Sequence, residues 1–347
     1  MARDGRAGGR GSRLDRALEA SVVGSFSRVG ILLRRRTQRW ADLADAGRGR
    51  SVLVTGANSG IGFATAAGLL ARGARVVITT RDVAKGAQAR AALLDAVAPP
   101  GGAHERSEVD ARLISETLDL DRLDSVRTLA GRIDAYGPID VVVHNAGAMF
   151  AERSTTEDGL ERTWQVHGVA PFLLTMLLLP HLTGRPDPRV IWVSSGGMYT
   201  ERLVVRRVDS PRGYRPSVAY ARAKRAQVEL AHVLHRRLGA TTGIAFHAMH
   251  PGWARTPGLR SSLPAFSRFV GPLLRSSAEG ADTILHLALA DRTGEPGDPL
   301  AGGRFWADRL PRATDRLART VVEDDERGAM LERLRADAGI TDLPGLH

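Results

Sequence analysis

A chain of 347 residues, 43% hydrophobic and 25% charged, can bury the core of one large α/β domain. It holds no cysteine, which excludes disulfides, thiolate catalysis and cysteine-based metal sites and suits a reducing, cytoplasmic setting. The net charge of +11 is uneven: residues 1–50 carry 12 Arg against 5 acidic residues, whereas residues 51–347 carry 37 Lys or Arg against 33 acidic ones. The basic excess belongs to an N-terminal extension, and no basic helix-turn-helix, aromatic-basic sheet motif or Cys/His module accompanies it, so nucleic-acid binding is not expected.

Residues 1–12, MARDGRAGGRGS, are rich in Gly and Arg and are expected to be disordered. SVVGSFSRVGILL (21–33), followed by RRRTQRW, has three readings. One is an amphipathic segment over residues 21–40 lying on an anionic membrane surface, with arginines at the headgroups and Trp40 at the interface. The second is a helix that packs on the main domain through Val22, Phe26, Val29 and Leu33. A cleaved signal peptide is the third, against which stand the charge cluster behind the apolar run and the lack of a convincing cleavage site. No run of 18 apolar residues occurs, so a conventional spanning helix is not expected.

From residue 51 short β-rich runs alternate with helical stretches. SVLVT (51–55), RVVITT (75–80), LISETLDL (113–120), IDVVVHN (139–145), RVIWVSS (189–195) and IAFHAMH (244–250) read as strands, and GRFWADR (303–309) as a further one. Helices are expected over 61–72, 123–136, 160–182 and 218–238, with loop insertions at 96–112 and 196–217. Strands apolar on both faces that alternate with helices indicate a Rossmann-type, doubly wound parallel sheet with helices on both faces. The expected organisation is an extension over 1–50, one domain over 51–310 and a charged tail or helix over 311–347.

TGANSGIG (55–62) directly follows the first strand. Gly56, Gly60 and Gly62 allow a tight turn and close approach to a pyrophosphate, and N–H groups at the helix start point at the anion. The placement between strand and helix favours a dinucleotide site over a plain structural turn. The second strand ends Thr79-Thr80-Arg81, with no acid before Asp82 to accept from a ribose 2′-hydroxyl. Arg81 can instead fork onto a 2′-phosphate, so NADP(H) is preferred, with NAD(H) the alternative and a surface arginine the competing reading.

Only two of the 49 basic residues are lysines, Lys85 and Lys224. Lys224 closes YARAK (220–224), one helical turn beyond Tyr220, so the two share a face. A free tyrosine titrates near 10, and an adjacent ammonium favours the phenolate; about three units of lowering needs roughly 4 kcal/mol, for which the lysine in a dry site, helped by the positive nicotinamide ring of an oxidised cofactor, is the expected source. Arginine's broad fork would reach ribose hydroxyls less well than a compact ammonium. VSSGG (193–197) ends the fifth strand at the carboxyl edge, where Ser195 can hold a carbonyl oxygen against the tyrosine.

Together these motifs resemble those of the short-chain dehydrogenase/reductase family. TGANSGIG matches TGxxxGxG, HNAG (144–147) matches NNAG, YARAK matches YxxxK, and HPGWART (250–256) is similar to the PG-x3-T stretch. A closer likeness to one subgroup rests on TEDGLE (156–161), DPRVIWVSSGGM (187–198), MHPGWARTPG (249–258), EGADT (279–283) and GRFWADR. The resemblance implies Tyr220 as proton donor in reduction, Lys224 as modulator of its pKa and ligand of the nicotinamide ribose, and Ser195 as orienter of the carbonyl, with Ser194 as the fallback. It implies a cofactor bordered by Gly56, Asn58, Ser59, Gly60, Ile61 and Gly62. Asp119 would lie at the adenine, Asn145, Ala146 and Gly147 on the adenosine ribose side, and Pro251, Gly252 and Thr256 at the nicotinamide and phosphate end.

Two positions depart from the family pattern. His144 replaces the first Asn of NNAG, and His167, in WQVHGVAPFLLT (164–175), replaces an asparagine that supports a helix kink and a water leading from the lysine to solvent. An imidazole can donate and accept, so His167 is a candidate relay, a buried structural histidine being the other reading. His232 and His235 lack a third partner and read as solvated surface residues rather than a metal pair. The expectation is an NADP(H)-dependent carbonyl reductase or alcohol dehydrogenase with a small, lipid-like substrate. The 25 residues from Ser195 to Tyr220 would make a lid or hairpin over that substrate, and 256–274 would shape its pocket. A cofactor-binding but catalytically silent scaffold is the rival, and a homo-oligomer is compatible with either.

Overall fold

The computed structural model describes residues 13–38, 40–98, 102–209, 213–262 and 268–341; the stretch 1–12, expected to be disordered, lies outside them. Eight strands form one sheet: β1 (Ser51–Thr55), β2 (Arg75–Thr80), β3 (Leu113–Thr117), β4 (Val141–His144), β5 (Arg189–Val193), β6 (Ala245–Met249), β7 (Arg304–Ala307) and β8 (Leu310–Arg312). Their order is β3-β2-β1-β4-β5-β6-β7-β8; β1 to β7 run parallel and β8 turns back antiparallel on β7. The strand order reverses direction between β1 and β4, which opens a crevice at the carboxyl edge there.

The helices are α1 (Arg13–Ala20), α2 (Val22–Phe26), α3 (Arg28–Thr37), α4 (Gly60–Leu70), α5 (Val83–Val97), α6 (Ala103–Ala111), α7 (Leu123–Arg132), α8 (Arg162–Leu182), α9 (Pro216–Thr242), α10 (Pro257–Ser262), α11 (Ser277–Leu289) and α12 (Asp324–Ala338). Alternate strand residues face two separate cores, as the pleat requires. Leu53, Val77, Val142, Trp192 and Phe246 pack with α7, α8, α9 and α12 on one face. Val52, Ile78, Val143, Ile191 and Met249 pack with α4, α5 and α11 on the other.

Several elements were not legible from periodicity. The loop expected at 96–112 contains α6, and α5, Ala-rich and weakly amphipathic, runs before it, started by Asp82 accepting from the Lys85 amide at 2.8 Å. A capping box of Ser276 and Glu279 starts α11. Where a lid or hairpin was expected after Ser195, the described residues up to 209 form a pair of 3-10 turns, Gly196–Thr200 and Val205–Arg207, with Leu203 and Val208 buried and the Val205 amide donating to Glu326 of α12 at 2.9 Å. Helix α8 is long and apolar enough to cross a membrane by length and composition, yet 78% of its most apolar window is buried inside the fold. β8 falls across the boundary expected at 310, so the sheet reaches into the expected tail.

The N-terminal helices pack on the body. Phe26 and Ile31 are buried, whereas Val22 and Val29, expected to pack, are exposed and Leu33 is half-buried. Trp40 lies under the Arg309 guanidinium, 4.7 Å from its ring centroid, rather than at an outer interface.

Candidate active site

At the glycine turn, Gly56 and Gly60 hold φ of +68° and +59°, conformations that an L side chain rarely adopts. A Cβ on Gly62 would lie 2.4 Å from both the Asn145 amide nitrogen and the Gly56 carbonyl oxygen, so only glycine fits. The HNAG stretch braces this turn. Thr55 Oγ1 accepts from the Asn145 and Ala146 backbone amides, both at 3.0 Å, and Asn145 Nδ2 donates to the Thr55 and Gly56 carbonyls at 2.9 and 3.1 Å. The amide of Asn145 is therefore spent on the turn. Thr256 stands over Gly60, where a Cβ would meet its methyl at 3.2 Å, and Gly280 of α11 brings Ile61 and Pro251 together. Asn58 and Ser59 are exposed at the mouth, and Ser59, before the first turn of α4, makes no side-chain cap, leaving its anion-facing N–H groups to a ligand.

Farther along the edge, Asp119 is half-buried after β3, where its carboxylate accepts from the Asp121 amide at 3.1 Å. Arg81 is exposed at the end of β2, and Gly147 is exposed beyond β4. These residues follow the carboxyl ends of β1 to β4, and the glycine turn itself fits a dinucleotide: a positive-φ turn, a helix N-terminus and a threonine facing it.

The catalytic candidates meet at the ends of β5 and α9. Ser195 leaves β5 extended, caps the following 3-10 turn by accepting from the Gly197 amide at 3.3 Å, and stands near enough to Tyr220 to favour its phenolate. Ser194 is buried and donates to the Lys224 carbonyl at 2.8 Å, which commits its hydroxyl to the α9 backbone and leaves Ser195 as the candidate serine. Lys224 is 2% exposed; its Nζ lies 5.5 Å from the Tyr220 ring centroid and donates to the Val193 carbonyl at 2.8 Å and to Gln227 Oε1 at 3.0 Å.

The protein's own groups do not lower the Tyr220 phenol. Burial pushes the Tyr220 phenol up to about 12, and the Ser195 hydroxyl opposes the rise. Burial also pushes Lys224 down to about 7. Withdrawing both groups from water disfavours both charged forms, so the ammonium does not by itself pull the phenol toward neutrality.

His167 sits in a π turn, Gln165–Val169, inside α8, which is the helix irregularity expected at this position. Its ring lies edge-on to Tyr220, with centroids 5.3 Å apart, and Nε2 donates to the Ala148 carbonyl at 2.8 Å. Burial, reinforced by the Lys224 charge, pushes this imidazole down to about 3, so it stays neutral. Its backbone carbonyl rather than its ring connects to the lysine: Gln227 Nε2 donates to the His167 carbonyl at 2.8 Å while Gln227 Oε1 accepts from Lys224. Gln227 escaped sequence reasoning, although its position three residues beyond Lys224 on one helix face was a usable signal. His144 is buried, bonded to Thr175 Oγ1 at 2.8 Å and stacked on Trp192. His235 packs against Gly302 and Gly303, and no group of three or more metal-ligating side chains occurs among the described residues.

This fold and site define an oxidoreductase that binds NAD(P) and acts on CH–OH and C=O groups. The chain belongs to the short-chain dehydrogenase family, whose model matches residues 50–265. It is 37% identical over 292 residues to Dehydrogenase/reductase SDR family member 12 of Bos taurus, covering 82% of this chain and 85% of that one. It is 34% identical over 294 residues to Retinol dehydrogenase 14 of Mus musculus, covering 81% and 86%. Among solved structures, an uncharacterized protein from Mycobacterium Paratuberculosis superposes with a TM-score of 0.63 at 29% identity, over 84% of this chain and 94% of that one.

Proposed function

We propose that the chain is an NADPH-dependent carbonyl reductase in which Tyr220 delivers the proton. The observation that carries this reading is the convergence of Ser195, Tyr220 and buried Lys224 at the carboxyl edge of the sheet, with the Lys224 Nζ 5.5 Å from the Tyr220 ring centroid. A bound nicotinamide supplies the hydride. Ser195 holds the carbonyl oxygen, and Tyr220 donates its proton to that oxygen as charge develops there. A phenol held at about 12 is protonated throughout the physiological range, which suits donation in the reductive direction. Gly56, Gly60, Gly62 and Thr256 would hold the pyrophosphate, and Arg81 the 2′-phosphate. A lipid-like aldehyde or ketone is the proposed substrate class, supported by the likeness to a retinol dehydrogenase and by the 85% exposed Phe269 in the stretch that follows Thr256.

The test is consumption of NADPH and NADH with a panel of retinoid, steroid and short-chain carbonyls. Turnover of apolar carbonyls with NADPH is expected, and no turnover of any carbonyl with either cofactor would overturn the reading. Arg81→Ala is expected to weaken NADPH binding about 10- to 100-fold, the worth of hydrogen bonds to a charged group, and to leave NADH binding nearly unchanged. Equal changes for both cofactors would remove Arg81 from the 2′-phosphate site.

We also propose peripheral membrane contact through the outer side of α2 and α3. Val22, Val23, Val29 and Leu32 are exposed there, Val22 at 57%, beside exposed Arg35 and Arg36. The chain is expected to sediment with phosphatidylserine vesicles more than with phosphatidylcholine ones. Replacing the four apolar residues by Ser should abolish the difference, and an unchanged difference would refute this contact.

A further inference from the structure

We infer that the N-terminal segment forms the back wall of the active site and that Phe26 is a positioning residue for the turn that presents Ser195. Residues Ser25, Phe26 and Ser27 form a buried strap, and the main domain binds all three of their carbonyls. Arg275 Nη2 donates to the Ser25 carbonyl at 3.1 Å, the Trp253 amide to the Phe26 carbonyl at 2.8 Å, and Arg275 Nε to the Ser27 carbonyl at 3.2 Å. Three consecutive carbonyls satisfied by the same body are the signature of a built-in element rather than a loosely attached leader.

The Phe26 ring lies between two turns at the carboxyl ends of neighbouring strands. Toward β5, a Cβ on Gly196 would come 2.1 Å from the ring, so the residue after Ser195 rests directly on Phe26. Toward β6, the ring stacks on Trp253 at 5.7 Å and packs on His250 at 4.9 Å, flanking the Pro251-Gly252 turn. Tyr199, at the far end of the 3-10 turn, meets the ring edge-on at 6.3 Å. Phe26 is 6% exposed and reaches the reacting groups only through the turns it supports. A displacement of Ser195 by about 1 Å is enough to cost on the order of 100-fold in rate, so the support matters to turnover.

The experiment compares full-length wild type with Phe26→Ala, Phe26→Leu, Gly196→Ala and the double variant Phe26→Ala/Gly196→Ala. NADPH affinity, amide exchange over 194–200 and 250–256, and kcat and KM on an accepted carbonyl are measured for each. Phe26→Ala is expected to speed exchange in both segments by about tenfold or more, as local opening becomes easier, and to keep NADPH affinity within about threefold. Its kcat should fall about 10- to 100-fold, with Phe26→Leu recovering most of the loss. Gly196→Ala alone should be impaired by its clash, and the double variant should recover at least about tenfold, because the added methyl enters the space left by the ring. Wild-type exchange in both segments of Phe26→Ala, or a double variant no better than Gly196→Ala, would overturn the inference. If Phe26→Ala does not fold, Gly196→Ala decides: its methyl meets the Phe26 ring and should speed exchange in both segments, and wild-type exchange there would overturn the inference. Turnover is read through the proposed reductase activity, but exchange is not: altered exchange in a chain inactive on every carbonyl sustains the positioning role while sinking the proposed function.

Discussion

Replacing Tyr220 by Phe is expected to lower kcat for carbonyl reduction by about 10²- to 10⁴-fold, the range that a positioned proton donor supplies, with NADPH affinity and thermal stability close to wild type. The ring should keep its place, because its packing against His167 and beside Lys224 does not depend on the hydroxyl. What disappears is the proton, together with the polar contact between the phenol and Ser195. Steady-state reduction beside cofactor titration separates the outcomes: unchanged turnover would end the assignment of Tyr220, and a joint loss of turnover and cofactor binding would point to misfolding instead. Lys224→Arg should not substitute for the lysine. The buried Nζ fits between the Val193 carbonyl and Gln227 Oε1, a space shaped for a compact donor rather than a planar fork.

The second large effect concerns stability. Asp308 is wholly buried and accepts from Arg34 Nη1 at 2.6 Å and from Arg275 Nη1 and Nη2 at 2.6 and 3.1 Å. Arg34 is held further by Asp15 at 2.7 Å and by the Gly24 carbonyl at 2.8 Å, so one carboxylate joins α3, the strap and the turn after β7. Asp308→Ala takes from buried Arg275 its carboxylate partner and from Arg34 one of its partners, and should cost about 3–5 kcal/mol, measured by denaturant unfolding. Asp308 also sits at φ +53°, where Asn is better tolerated than Ala. Asp308→Asn therefore isolates the charge from the backbone conformation, and a comparable loss is expected for it. A cost below about 1 kcal/mol for both variants would show that the cluster does not hold the extension in place.

The parallel sheet was legible because its strands are apolar on both faces and its helices fall between them. Strand ends were less so: β3 stops at Thr117 and β4 begins at Val141, each inside the expected run, since pairing rather than hydrophobicity ends a strand. Helices α5 and α6 were missed because small and charged residues gave little periodic contrast, although the Asp82 cap was readable in the sequence. The role of Phe26 could not be read, because the Gly196 it supports is remote along the chain and only folding brings them together.

What the sequence by itself determined is the local chemistry: a glycine turn between strand and helix, a tyrosine one turn before a rare lysine, a serine at a strand end. Each is a short-range pattern whose geometry follows from the backbone of one element. The tertiary structure alone decided which serine is tied to the α9 backbone, where the lysine's hydrogen bonds go, and that Phe26 of the extension packs on Gly196. It also decided how far burial offsets the lysine. Proximity of Lys224 to Tyr220 is written in the helix repeat, but the desolvation that raises one group and lowers the other depends on how completely the rest of the fold excludes water from both.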